Sequence, residues 1–136
     1  GYFNRLSGPV LDRIDLQLWL HSVEPSRLVR RERSECSAKI AERVMRARNI
    51  QMERFRDEEI CTNAEMNNKQ LLLYCPLSED CRNLLEKVMV KGGLSARAYS
   101  RIIKIARTIA DLEGAKDISV SHVCEAVSYR FLDKMM

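Results

Sequence analysis

Gly93-Leu-Ser-Ala-Arg-Ala-Tyr-Ser-Arg-Ile-Ile-Lys-Ile-Ala-Arg-Thr-Ile-Ala-Asp-Leu-Glu-Gly114 reads as one complete helix with its own start and stop. Ser95 suits an N-cap, since its hydroxyl can accept from an otherwise unpaired amide of the first turn. Gly114 suits the position past the last turn, where a left-handed residue ends the helix. Between them Ala98, Ile102, Ile105, Ile109 and Leu112 form an apolar stripe at helical spacing. Arg97 is the odd residue. It falls in the first turn, where the helix dipole disfavours a cation by up to about 1 kcal/mol. A cation there is better explained if its partner is an anion such as a phosphate.

The same pattern extends outward. Ser34 can cap a long helix running to about Arg56, with Ile40, Val44, Ala47, Gln51 and Phe55 on one face, Gln51 interrupting its apolarity and Met45 and Met52 widening it. Residues 57–67 are polar and read as a loop. Asn67 and Gln70 have capping-box spacing and open a short helix ending near Tyr74, with Pro76 after it. Ser78 starts a helix with Leu84, Leu85, Val88 and Met89 inward, stopped by Gly92-Gly93. Ser119 caps a last helix facing inward with Val120, Val123, Cys124, Val127 and Phe131. At the other end Ile14, Leu16, Leu18 and Leu20 alternate with Asp15, Gln17, Trp19 and His21, which is strand periodicity. No second strand of similar quality follows. The expected fold is mainly α: a bundle of about five helices preceded by one extended strand.

Composition excludes several classes. The 136 residues suffice for one domain with a modest core. No apolar run approaches the roughly 20 residues that span a bilayer, so no membrane partner is expected. No signal peptide is read at the start, and a beginning at Gly in mid-motif suggests a piece of a longer, cytoplasmic protein. Five cysteines and two histidines show no Cys-x-x-Cys spacing, so reduced, buried thiols are expected rather than disulfides or a metal site. The net charge is +4, and its positive excess sits in residues 27–56, with ten Arg and Lys against four Glu. Lys39, Arg43 and Arg46 share a face of the long helix there. That face is a candidate contact for a nucleic-acid backbone, or else a solvated surface. No phosphate loop and no paired-acid strand for Mg²⁺ is present, nor any hydrolase triad or zinc-helix motif. The chain alone is not expected to be an enzyme.

Several motifs together resemble one family. Gly93-Leu-Ser-Ala-Arg-Ala-Tyr99 with Ile105-Ala-Arg-Thr-Ile-Ala-Asp-Leu-Glu-Gly114 is similar to the C-terminal lid of magnesium-chelatase-like AAA+ ATPases, of the ComM-type branch. Leu6-Ser-Gly-Pro-Val-Leu-Asp-Arg-Ile-Asp-Leu16, Cys75-Pro-Leu77 and Val127-Ser-Tyr-Arg130 agree with it. The resemblance implies that residues 1–24 end an ATPase core and 25–136 form the helical lid. It implies ATP and Mg²⁺ in the full-length protein, with no cofactor in this piece. It also implies an upstream core, neighbouring subunits of a hexameric ring, and DNA as what the motor acts on in competence or recombination.

Two arginines take roles through the same resemblance. Arg97 falls at the sensor-2 position, which reaches the γ-phosphate of ATP bound in its own subunit. Arg13 falls at the arginine finger, which reaches the γ-phosphate held by the neighbouring subunit; Arg5 is a weaker rival. From spacing alone Arg97 reads as a surface residue, and Arg13 as an ion-pair partner of Asp12 or Asp15 beside it. Arg101 and Lys104 read as a solvated face, and His122 as a cap or surface residue. A stand-alone helical module binding nucleic acid or protein is the alternative. The order of Leu-Asp-Arg-Ile-Asp before Leu-Ser-Ala-Arg-Ala favours the ATPase reading, and only that reading uses both.

Overall fold

A computed structural model describes Arg5, residues 7–31 and residues 33–130. Its helices are α1 (Gly8–Leu11), α2 (Pro25–Val29), α3 (Ser37–Arg54), α4 (Asn68–Tyr74), α5 (Glu79–Gly92), α6 (Ala96–Glu113) and α7 (Val120–Ser128). The five-helix bundle expected from the sequence is α3 to α7. α6 is its axis, touching α3, α4, α7 and a 3-10 turn at Asn63–Glu65, while α5 packs on α7.

The helix boundaries follow from their caps. Ser78, Ser95 and Ser119 accept from the backbone amides of Cys81, Ala98 and His122. Asn67 and Gln70 form the expected reciprocal pair, at 2.9 Å each way. Gly93 and Gly114 take φ of 60° and 76°, the left-handed region that a side chain resists. α3 departs from expectation. It begins at Ser37 with Cys36 as its cap residue, two positions after Ser34, and Cys36 offers no side-chain bond. The expected loop 57–67 contains the 3-10 turn. There the Glu65 carboxylate accepts from the Cys61 and Thr62 amides and the Thr62 hydroxyl, which holds it below the usual carboxylate range.

The core is built by Phe55, Leu71, Cys81, Leu85, Ile102, Ile103, Ala106, Ala110, Ile118, Val123 and Ala126. Phe55 meets Tyr74 edge to face, with centroids 5.2 Å apart. The buried face of α6 is rotated from the expected stripe. Ala98 and Ile102 lie in it as expected, but Ile103, Ala106 and Ala110 complete it, and Leu112 is exposed. Small alanines let neighbouring helices approach, so they outcompete larger residues for the axis. Ile105 and Ile109 are half-buried against the core and, with Leu112, also line an open groove of about 810 Å³ with Leu16, Leu18, Ile40 and Val44.

That groove explains a second departure. The first half of α3 extends past the core, leaving Ile40 and Val44 each 44% exposed. Met45 and Met52, expected to widen the buried face, are exposed as well. α3 enters the core only from Ala47 onward, and Gln51 belongs there. Its Oε1 accepts from the Asn63 amide at 3.0 Å, so a polar residue on the apolar face is satisfied.

The expected strand at 14–20 forms no ladder among the described residues, and they contain no sheet. A strand without a partner has nowhere to send its backbone groups. The segment runs over the bundle's own surface, where the Gln17 amide donates to the Tyr129 carbonyl at 2.8 Å. Trp19 is exposed. Phe131, expected inside, lies outside the described residues.

The cysteines divide differently from expectation. Cys75 and Cys81 are buried, whereas Cys36, Cys61 and Cys124 are exposed and free. Burial pushes the Cys75 thiol up to about 11, so it stays protonated and inert at neutral pH. Titration with a colourless-to-coloured disulfide reagent should therefore find three fast thiols in the native protein and five after denaturation. Five fast native thiols would contradict this packing.

Candidate functional site

Arg97 sits in the first turn of α6, which Ser95 caps through a 3.2 Å bond from the Ala98 amide. Its side chain is exposed, and among the described residues its guanidinium has no hydrogen bond or ion pair. Arg13 follows α1, whose last turn is closed by the Arg13 amide donating to the Val10 carbonyl at 3.1 Å. Its guanidinium is likewise exposed and without a partner among the described residues. The ion pair with its neighbours does not form, because Asp12 pairs with Arg130 and Asp15 with Arg101.

Arg101, one turn along α6 from Arg97, reaches the backbone at Arg13. Arg101 Nη1 donates to the Arg13 carbonyl at 2.9 Å and to the Asp15 carboxylate. Arg101 is thus a structural bond rather than part of a solvated face. Lys104 departs from that expectation too, since its Nζ donates to the Ala64 carbonyl at 3.1 Å. Arg130, just past α7, reaches the same loop from the other side. Its Nη1 donates to the Ile14 carbonyl at 3.2 Å and its Nη2 to the Asp12 carbonyl at 3.5 Å. Burial pulls the Arg130 guanidinium down from its ordinary value, partly offset by the Asp12 carboxylate.

Lys39, Arg43 and Arg46 share the exposed side of α3 as expected, but they are not equivalent. Arg43 forks onto Glu35, with Nη2 to Oε2 at 2.9 Å, and the carboxylate raises its affinity for its proton. Arg46 lies 3.9 Å from Glu42 in an exposed pair worth about 0–1 kcal/mol. Lys39 has no partner among the described residues. Of the three, Arg43 is thus the one firmly engaged, by Glu35.

His122 is a cap, as its position suggested. Its Nδ1 accepts from the Ser119 amide at 2.9 Å, which leaves Nε2 as the protonated nitrogen facing Glu113. Sequence reasoning missed the buried polar cluster behind α6. Asp111 accepts from Arg54 at 2.5 and 2.8 Å and from Asn63 at 2.9 Å, and lies 3.3 Å from Arg107. Arg107 in turn donates to the Lys116 and Ala115 carbonyls, each at 3.0 Å, tying down the loop after α6. The available signal was charge at positions 107 and 111, in register with Ile103 and Ala110.

Among the described residues no three of His, Cys, Asp and Glu gather where they could hold a metal ion, and no helix is long and apolar enough to cross a membrane.

Residues 34–130 match the family model described as magnesium chelatase, subunit ChlI C-terminal. The chain is 42% identical to the competence protein ComM of Haemophilus influenzae over 136 residues, which is 99% of this chain and 26% of that protein. It is 42% identical over the same shares to YifB of Salmonella typhimurium, an uncharacterized protein. A Mycobacterium tuberculosis relative, the uncharacterized Rv2897c, is 30% identical over 95% of the chain and 25% of its own length. The chain thus spans about a quarter of these relatives. The family-model match over residues 34–130 and the identity over nearly the whole chain place it plainly: it belongs to the magnesium chelatase ChlI C-terminal family, as a C-terminal region of the ComM type.

Proposed function

We propose that the chain is the lid, with its adjoining arginine loop, of an ATP-hydrolysing ring motor that acts on DNA in the cytoplasm. In this reading residues 1–24 end the ATPase core and residues 25–136 are the lid. The upstream core and the other subunits of a hexamer are its partners. The observation that supports it most is the state of two arginines. Among the described residues the Arg13 and Arg97 guanidiniums have no partner, while the carboxylates beside Arg13 are held by Arg101 and Arg130. A planar, permanently charged fork without a protein acceptor is suited to phosphate oxygens.

ATP is the substrate in this proposal. Arg97 binds its γ-phosphate within one subunit, and Arg13 meets the γ-phosphate held by the next. An arginine supplied there stabilises the charge that spreads over the transferring phosphoryl group. In this reading Mg²⁺ accompanies the nucleotide of the full-length protein; among the described residues no three of His, Cys, Asp and Glu gather where they could hold it. Arg101 holds the Arg13 carbonyl one turn along α6 from Arg97, so the backbone of the arginine loop lies against the lid helix.

The test is ATP hydrolysis. The full-length protein should hydrolyse ATP, and the 136-residue chain should neither hydrolyse it nor bind it with micromolar affinity by calorimetry. A full-length protein without ATPase activity would end the proposal, and tight binding by the isolated chain would overturn its assignment as lid.

Support for DNA comes from the basic segment 27–56, and the Haemophilus relative is named a competence protein. Duplex binding should be sequence-independent and steeply salt-dependent. Reversing the charge of Lys39 and Arg46 should lower the log–log salt slope by about 0.9 per lost contact, with a smaller effect at Glu35-bound Arg43. Fluorescence titration at two salt concentrations measures it. Equal binding by wild type and the reversed variant would remove DNA from this surface.

A further inference from the structure

Resting on the ATPase-lid reading, we propose that Arg101 and Arg130 are positioning residues that clamp the arginine-bearing loop onto the lid, so that the lid sets the placement of Arg13. The loop is far away in sequence and close in space: Arg101 and Asp15 are 86 residues apart, Arg130 and Asp12 118. Every residue from Asp12 to Asp15 gives an oxygen to one of the two guanidiniums. Arg130 takes the Asp12 and Ile14 carbonyls, with the Asp12 carboxylate 3.7 Å away. Arg101 takes the Arg13 carbonyl and the Asp15 carboxylate.

The clamp is what holds this loop. Val10, Ile14 and Leu16 are all exposed, so the segment has little apolar anchor of its own. The Gln17 amide adds one bond to the Tyr129 carbonyl, next to Arg130. Arg130, by contrast, is fixed, its side chain 3% exposed at the end of α7. A buried cation is costly unless it is hydrogen-bonded and paired, and here its acceptors are those of the loop. This gives the Val127-Ser-Tyr-Arg130 motif a physical role. The Tyr129 carbonyl and the Arg130 fork form one edge of the clamp, and Arg101 on α6 forms the other. When α6 and α7 turn as a body, the loop turns with them. The Arg13 guanidinium has no partner among the described residues because its neighbours carry the attachment.

The experiment uses the full-length protein with Arg101→Ala, Arg130→Ala and Arg130→Lys, alone and combined with Arg13→Ala. Hydrogen exchange of the Asp12–Gln17 amides should quicken about tenfold or more in both alanine variants, with α3, α5 and α6 unchanged. Arg130→Lys, which keeps a charged donor, should restore part of the protection. ATP turnover should fall about 10- to 100-fold, the scale of a misplacement of about 1 Å, and should fall no further when Arg13 is already alanine. A merely structural role would instead give losses that multiply. Unchanged exchange at Asp12–Gln17 overturns the clamp. Multiplying losses overturn the link to Arg13. If Arg13→Ala alone leaves turnover intact, the finger reading fails, and exchange still decides whether the clamp exists. If Arg130→Ala does not fold, Arg101→Ala carries both measurements.

Discussion

Arg13→Ala in the full-length protein should lower ATP turnover about 10³- to 10⁵-fold, the range over which an arginine supplied across an interface acts in phosphoryl transfer. Arg97→Ala should lower it about 10²- to 10³-fold, the usual loss for one donor to developing charge. Neither change should disturb the fold. Both side chains are exposed and without partners among the described residues, and such surface substitutions usually stay within about 0.5 kcal/mol. Steady-state hydrolysis with thermal melts of the same samples checks both halves. Lost activity in a destabilised protein would mean that the arginines are structural instead.

The second large effect belongs to stability. Asp111→Ala should destabilise the lid by about 3–5 kcal/mol, because it strips the carboxylate from two enclosed arginines. Arg54 and Arg107 side chains are only 14% and 4% exposed, and the Asp111 carboxylate is fully enclosed. Asn63 would lose its acceptor as well. Against a total stability of about 5–15 kcal/mol for a domain, the loss is a large share. Denaturant melts of the 136-residue chain measure it, and a change below about 1 kcal/mol would show that the cluster is not what ties α3 to α6. Arg54→Met combined with Asp111→Leu should recover part of the loss, since an apolar pair leaves less charge enclosed.

The helical order was readable because local signals and tertiary packing agree. Ser78, Ser95 and Ser119 cap helices, and Gly93 and Gly114 end them, as their sequence context requires. The face of α6 was read less well. Periodicity favours large residues such as Ile105 and Ile109, whereas the axis of the bundle goes to Ala106 and Ala110, which admit close neighbours. Two polar readings failed for a related reason. Arg101 and Lys104 look like a solvated face along one helix, and only partners from distant segments, Asp15 and the Ala64 carbonyl, show otherwise. The strand periodicity at 14–20 is real in the sequence but finds no second strand among the described residues. Of the proposed site, Arg13 and Arg97 come from motif resemblance. The sequence could not show that their guanidiniums have no partner among the described residues, nor that Arg101 bonds the Arg13 carbonyl.

The central claim is that this lid presents Arg13 to a nucleotide in the neighbouring subunit, and mixing subunits tests it most directly. Full-length Arg13→Ala subunits should be combined with subunits that cannot bind ATP, each preparation being inactive alone. The account predicts that the mixture regains ATP turnover, because an intact Arg13 then faces a nucleotide-loaded neighbour. Arg97→Ala subunits in the same mixture should show no such recovery, because Arg97 serves its own subunit, and equal recovery by both variants would contradict that assignment. No recovery with Arg13→Ala at any mixing ratio, in rings shown to exchange subunits, would contradict the account.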